Sequence, residues 1–239
     1  MEHLSGASGT VAGAAIDAYR DTPMPAPSTP WRQAAFCVLD LETTGLLAPE
    51  NEIVAFATMP IDGGRARVRD ANSRLVRPRR MPGPDSIRIH GLREEDLVGA
   101  PPLSAVLDQL LVALAGRALV AHVATLEERF LRGAMLAAGL SLRNPVIDTH
   151  ALALEVYERR REAPPESVRL APLARALGLP VHRPHDAAGD VLTTVQVFLA
   201  LATELDALAP QTVGSLCELR HRSDPLPTIR RALRRLRRR

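Results

Sequence analysis

With 239 residues, 46% of them hydrophobic but only 3% aromatic, the chain can bury one sizeable core built from Leu, Val, Ala and Ile. Every one of its 30 basic residues is Arg, and Arg230, Arg231, Arg234, Arg235, Arg237, Arg238 and Arg239 crowd the last ten positions; without them the net charge of +3 becomes −4. Two distant cysteines, no basic start followed by an apolar stretch, and no uncharged apolar run of spanning length argue against a disulfide scaffold, a secreted precursor and a membrane protein, so a soluble, cytoplasmic protein is expected.

Residues 1–30 are rich in Gly, Ala, Ser, Thr and Pro and read as a flexible leader, with Trp31 at the edge of the fold. Ala34 to Leu41 is a continuous apolar run, as in a strand buried on both faces. Glu52 to Ile61 and a stretch around Arg65 to Val76 follow as second and third strands, joined at Asp62-Gly63-Gly64 into an antiparallel meander. Pro78, Pro82 and Pro84 mark a loop. Leu103 to Leu114 carries apolar residues at helical spacing, and Ala118 to Ala121 is a fourth strand. A helix from Thr125, which is placed to cap it, runs to about Ala138. Pro145 to Ile147 is a fifth strand, and Asp148 is placed to cap the next helix. A short helix near Leu170 to Leu177 ends at Gly178, and a long one spans about Asp186 to Leu208. The order predicts an α/β fold, a mixed five-stranded sheet flanked by helices. The division expected is a leader (1–30), a folded domain (31–208) and a basic Arg-rich tail (209–239) suited to phosphate contacts or to a solvated end.

Asp40 and Glu42 sit two apart on a strand and so project to one face. Adjacent carboxylates repel unless a cation neutralises them, and hard divalent ions take oxygen ligands. A chain with 13 Asp and 14 Glu yields roughly 0.8 Asp-x-Glu by chance, so the pair alone decides nothing. Its place at the end of an apolar strand is what sets it apart, because acids there are costly without partners.

Three stretches together carry a resemblance. Phe36-Cys37-Val38-Leu39-Asp40-Leu41-Glu42-Thr43-Thr44-Gly45-Leu46, Val120-Ala121-His122-Val123-Ala124-Thr125-Leu126-Glu127-Glu128-Arg129-Phe130-Leu131 and His185-Asp186-Ala187-Ala188-Gly189-Asp190 resemble, in order, the three motifs of the DEDDh family of 3'-5' exonucleases. Leu75-Val76-Arg77-Pro78 and Ile89-His90-Gly91-Leu92 resemble connecting segments of its DNA polymerase III epsilon-like branch. The resemblance covers about residues 34–205 and implies a ribonuclease H-like fold. It further implies Asp40, Glu42, Glu127 and Asp190 as a carboxylate cage for two divalent cations, Mg²⁺ or Mn²⁺, and His185 as the base toward water. Thr43, Thr44 and Leu46 would meet the terminal nucleotide, and His90 and His122 would line the substrate cleft or serve as structural histidines. The substrate implied is DNA, with RNA as the alternative, and a replication or repair protein such as a polymerase is the implied partner. Two positions depart from the pattern: Glu127 stands where Asp is usual and Val123 where Asn is usual. They support a second reading, a weakened member that binds nucleic acid or a polymerase. Glu128 competes with Glu127 as the ligand.

Overall fold

The computed structural model describes residues 6–48 and 50–222. Helix α1 (Gly6–Asp21) opens the chain and is followed by strands β1 (Ala35–Thr43), β2 (Ile53–Asp62), β3 (Arg65–Ala66) and β4 (Asn72–Leu75). Helices α2 (Pro84–His90), α3 (Glu94–Leu97) and α4 (Leu107–Leu114) lead to β5 (Ala118–Ala121) and α5 (Thr125–Ala137). Then come β6 (Val146–Asp148), α6 (Thr149–Arg160), α7 (Leu170–Ala176), α8 (Ala187–Leu208) and α9 (Val213–Arg222). The sheet order is β3-β2-β1-β5-β6, with β4 also paired to β2. β1 and β2 are antiparallel, whereas β1, β5 and β6 run parallel.

The expected mixed sheet and antiparallel meander are present, with one change. The third strand is two short pieces, both on β2, because a 3-10 turn at Val68–Asp70 interrupts it. Arg65 to Asp70 offers little apolar surface to hold a continuous strand, and Val68 is exposed.

Alternation along β1 sorts two cores. Phe36 and Val38 join α6, α7, α8 and α9 on one side, where Phe36 meets Phe198 with ring centroids 5.0 Å apart. Cys37, Leu39 and Leu41 join α1, α4 and α5 on the other. Asp40 and Glu42 therefore continue the Phe36–Val38 face, toward α8. From Phe36 to Asp40 is about 13 Å of strand, and from Phe198 back to Asp190 is about 12 Å of helix. Strand and helix thus bring their carboxylates to the same end.

β5 pairs with β1 only at Phe36, Cys37 and Val38. Beyond Val38 the parallel neighbours part, so Asp40 and Glu42 lie where β1 has lost its partner on that side. Ligand sites of open sheets form at such carboxyl ends.

Several expectations are corrected. The leader is not flexible throughout: α1 buries Ala15 and Tyr19, and the Tyr19 hydroxyl donates to Asn144 Oδ1 at 2.8 Å while accepting from the Arg143 amide. Its Ala-rich stripe favours helix, and the prolines begin only after it. Trp31 is fully inside, edge-on to Phe198. Pro84 begins α2 rather than a loop, occupying a first-turn position where its missing N–H costs nothing. Leu103–Ala105 is a 3-10 turn ahead of α4. The segment after 208 is folded in its first part, since α9 buries Val213, Leu216 and Leu219. The arginines from Arg230 onward lie outside the described residues. α8 is long and apolar enough to cross a membrane by length and composition alone, but that apolarity is spent on the core, where Val195, Phe198 and Leu201 are buried.

Candidate active site

Asp40, Glu42 and Asp190 each offer one carboxylate oxygen, and these oxygens all lie within 4.8 Å of one another. Asp40 and Asp190 are half-buried and Glu42 is buried. Burial raises the Asp40 carboxyl well above the usual carboxylate range, and the charges of Glu127, Glu42 and Asp190 raise it further. Burial, together with Asp190 and Asp186, pushes Glu42 up to about 8. Acids so crowded and buried resist ionisation unless a cation neutralises them.

Asp190 stands in the first turn of α8, which Asp186 caps by accepting from the Gly189 amide at 2.9 Å. Asp190 Oδ2 in turn accepts the His185 amide at 2.9 Å. His185 is left-handed, with φ 63°, and its ring is exposed at the cleft that Asp190 also lines. Gly189 makes this close turn possible: a Cβ there would lie 2.6 Å from the Arg183 carbonyl and 2.8 Å from that of His182. Burial raises Asp190 too, opposed by the His185 amide.

The second stretch is built differently. Val123 is left-handed at φ 61°, an uncommon conformation for a β-branched residue. Thr125 does not cap α5; Ala124 holds the cap position and makes no side-chain bond. The turn's amides go to Asp148 instead, whose two oxygens accept from Val123 at 2.9 Å and Ala124 at 3.1 Å. Asp148 also caps α6 through the His150 amide. That cap is legible in the sequence; the clamp on the other turn is not.

Glu127 and Glu128 part company in the first turn of α5. Glu128 accepts from Arg132 at 2.6 Å and pairs with Arg220 of α9. Burial alone would raise its carboxyl, but the two guanidinium groups hold it below the ordinary value. Glu127 is 5% exposed and lines the cleft. Its Oε2 is buried with no hydrogen-bond partner among the described residues. Burial is the main cause that pushes it up to about 8. Glu127 lies outside the tight group of three, though its charge raises Asp40 and the charge of Glu42 in turn raises Glu127.

A cleft of about 800 Å³ joins these residues. It is lined by Asp40, Glu42, Glu127, His185 and Asp190, and also by Thr43, Thr44, Leu46 and His90. Thr43 Oγ1 donates to the Gly45 carbonyl, and the Thr44 carbonyl accepts from Ser86, tying the loop after β1 to α2. His90 Nδ1 accepts the Leu92 amide at 3.0 Å, and burial lowers its pKa.

His122 is the exception. It is not part of the cleft lining. Its ring nitrogens sit 2.9 Å from Thr149 Oγ1 and 3.0 Å from the Val168 carbonyl, and burial, helped by His150, pushes it down to about 3. Of the two roles expected of it, substrate contact or structural histidine, these partners support the second. Conversely, Leu47, Asn51 and Ser86 line the cleft beside Ile89, and no sequence signal marks these three, since a loop and a short helix are folded over the site only by tertiary contacts.

The donor set fits a metal. It is all oxygen, it is crowded enough to need neutralising charge, and it includes an orphaned buried oxygen on Glu127. Such a set suits a hard divalent cation.

The RNase_T exonuclease family model matches residues 37–198. A DNA polymerase III subunit epsilon-like protein of Rhodobacter capsulatus is 34% identical over 191 residues, 79% of this chain and 26% of that protein. The DNA polymerase III subunit epsilon of Treponema pallidum is 30% identical over 168 residues, 70% of this chain and 76% of that one. The chain spans 12–32% of the length of four relatives that it matches. E. coli Exonuclease I, solved with a dT13 oligonucleotide, shares the fold with a TM-score of 0.67 at 18% identity, over 74% of this chain and 42% of that one. The matched span runs from β1 into α8 and so takes in all three stretches that meet at the cleft. The chain belongs to the RNase_T exonuclease family.

Proposed function

We propose that this protein is a 3'-5' exonuclease that hydrolyses the terminal phosphodiester bond of a DNA strand and releases nucleoside monophosphates. The observation that carries this reading is the convergence of Asp40, Glu42 and Asp190 within 4.8 Å, from β1 and from α8. Glu127, with its unpartnered buried oxygen, lines the same cleft. The names of the relatives support DNA as the substrate, as does the oligonucleotide bound to Exonuclease I.

Asp40, Glu42, Glu127 and Asp190 would hold two divalent cations, Mg²⁺ or Mn²⁺ by the all-oxygen set. When bound, such ions neutralise charge on the phosphate and strengthen water as a nucleophile. His185 accepts the proton of the attacking water. Its exposure at the cleft, beside Asp190, suits it to that task. The water oxygen bonds to the terminal phosphorus, the bond to the 3' oxygen of the penultimate nucleotide breaks, and that oxygen leaves as a hydroxyl. Asp190 fixes His185 by accepting its backbone amide, so base and ligand are set by one turn. Thr43, Thr44 and Leu46, with His90, would receive the terminal nucleotide. A cytoplasmic location and a polymerase or other replication partner are proposed on the relatives' names.

The test is a 5'-labelled single-stranded oligonucleotide incubated with Mg²⁺ or Mn²⁺, beside a matched RNA strand. A ladder shortening from the 3' end of DNA is expected. Absence of shortening with either metal overturns the reading, and faster loss of RNA overturns the choice of substrate.

A further inference from the structure

Among the described residues, the cleft lining carries five carboxylates, those of Asp40, Glu42, Asp85, Glu127 and Asp190, and no arginine. Cations at the cage would neutralise the scissile phosphate, but the phosphates that follow it along the strand need positive charge elsewhere. On this wall Arg88 of α2 pairs with the cleft residue Asp85, and the loop between β4 and α2 carries Arg79 and Arg80. Its far end, at Gly83 and Pro84, lines the cleft.

This loop is held unusually well for an exposed segment. Val76, Pro78 and Pro82 are buried, while Arg79 and Arg80 between them are exposed. Glu52, next to the cleft residue Asn51, accepts the Arg79 amide at 3.0 Å and the Arg80 amide at 3.1 Å on one oxygen. Its other oxygen accepts Arg79 Nε at 2.9 Å. Two arginines are thereby fixed by backbone at the cleft's edge before any ligand arrives, which removes much of the ordering cost of a contact. The apolar side chains of Leu47 and Ile89, 41% and 54% exposed, line the cleft nearby and offer surfaces for bases.

We propose that the Glu52-tethered loop is a phosphate-binding rim, on which Arg79 and Arg80 contact the backbone of the single strand feeding the cleft. This deepens the exonuclease reading and rests on it for the identity of the polyanion. The rim should matter for long strands and not for very short ones.

The test compares wild type with the Arg79→Gln/Arg80→Gln double variant. The control is Arg65→Gln/Arg69→Gln, which makes the same charge change around β3, at the end of β2 remote from the cleft. Binding of a long labelled oligo-dT strand is followed by fluorescence anisotropy over a salt series, and cleavage of long and trinucleotide substrates is timed. The rim variant should bind the long strand about fivefold more weakly, with the salt dependence shallower by about 1.4 in log–log slope, at roughly 0.7 for each phosphate that an arginine no longer neutralises. KM for the long strand should rise with kcat unchanged, and trinucleotide cleavage should not move. An unchanged slope and KM, or an equal effect in the control, overturns the proposal. If wild type cleaves nothing yet the rim variant alone weakens binding, the rim stands and the exonuclease reading falls.

Discussion

The two helix starts that frame the cleft solve one backbone problem in two ways. Each places a left-handed residue, His185 or Val123, just before a helix whose first turn carries a carboxylate into the site. At α8 everything is local: Asp186 caps its own helix, Asp190 accepts the His185 amide, and Gly189 leaves room for the loop. At α5 nothing is local. The amides of Val123 and Ala124 are satisfied by Asp148, 24 or more positions away on β6. A turn stabilised by its own residues tolerates change elsewhere, whereas a borrowed anchor ties the second carboxylate to the integrity of the parallel strands.

The largest expected effect comes from removing that anchor. Asp148→Ala strands three amides, and at about 1–3 kcal/mol per unsatisfied buried group the fold should lose roughly 4 kcal/mol or more, read as a lowered denaturant midpoint. Cleavage should fall with it. If stability is kept, the borrowed anchor is not what holds α5.

Gly189→Ala strikes the local turn. The new Cβ meets two backbone carbonyls, so the loop carrying His185 must move. A cleavage loss of about 10- to 100-fold is expected, by analogy with groups that orient a metal site, with a thermal shift of only a few degrees. Unchanged kcat would show that His185 need not sit where the turn puts it.

The acids of the strand β1 and of the α5 turn can also be probed through metal and pH. Glu42 and Glu127 are raised from 4.5 to about 8, so folding favours their protonated forms. Their contribution is fully present below pH 4.5 and is lost as pH rises through about 8. Metal-free protein should weaken across that window, and Mg²⁺ or Mn²⁺ should raise Tm more above pH 8 than near pH 5, because at low pH the ion must displace protons. A thermal-shift series in which the metal effect is independent of pH would contradict this.

The smallest effect sharpens the comparison from the other side. Asn tolerates the left-handed conformation that Val123 is forced into, so Val123→Asn should stabilise the fold by about 1 kcal/mol, seen as a slightly higher Tm. A lower Tm would mean that the Val123 side chain contributes more by packing than its backbone costs.

The same contrast explains what can be read from sequence. β5 at Ala118–Ala121 and most of α8 are legible because apolar runs and local caps specify them. Asp40, Glu42, His185 and Asp190 are legible as motifs on such elements. Three things rest on more than motifs: the clamp from Asp148, what separates Glu127 from Glu128, and which of its two expected roles His122 takes. Each depends on a partner far along the chain, such as Arg220 of α9 for Glu128 and Val168 for His122. The helix at α1 is hidden for a different reason, because the prolines after Asp21 outweigh a short Ala-rich stripe before them.

The central claim is that carboxylates from separate stretches act together on one phosphodiester bond. Asp40 is the carboxylate that the other three all act upon, so Asp40→Asn against wild type is the direct comparison, with a 5'-labelled strand and Mn²⁺. The account predicts a 3'-end ladder from wild type, a loss of about a thousandfold or more in the variant, and a metal-free Tm that is unchanged or higher because a buried acid whose ionisation its neighbours oppose is gone. Equal ladders from both proteins, at equal Tm, would contradict it.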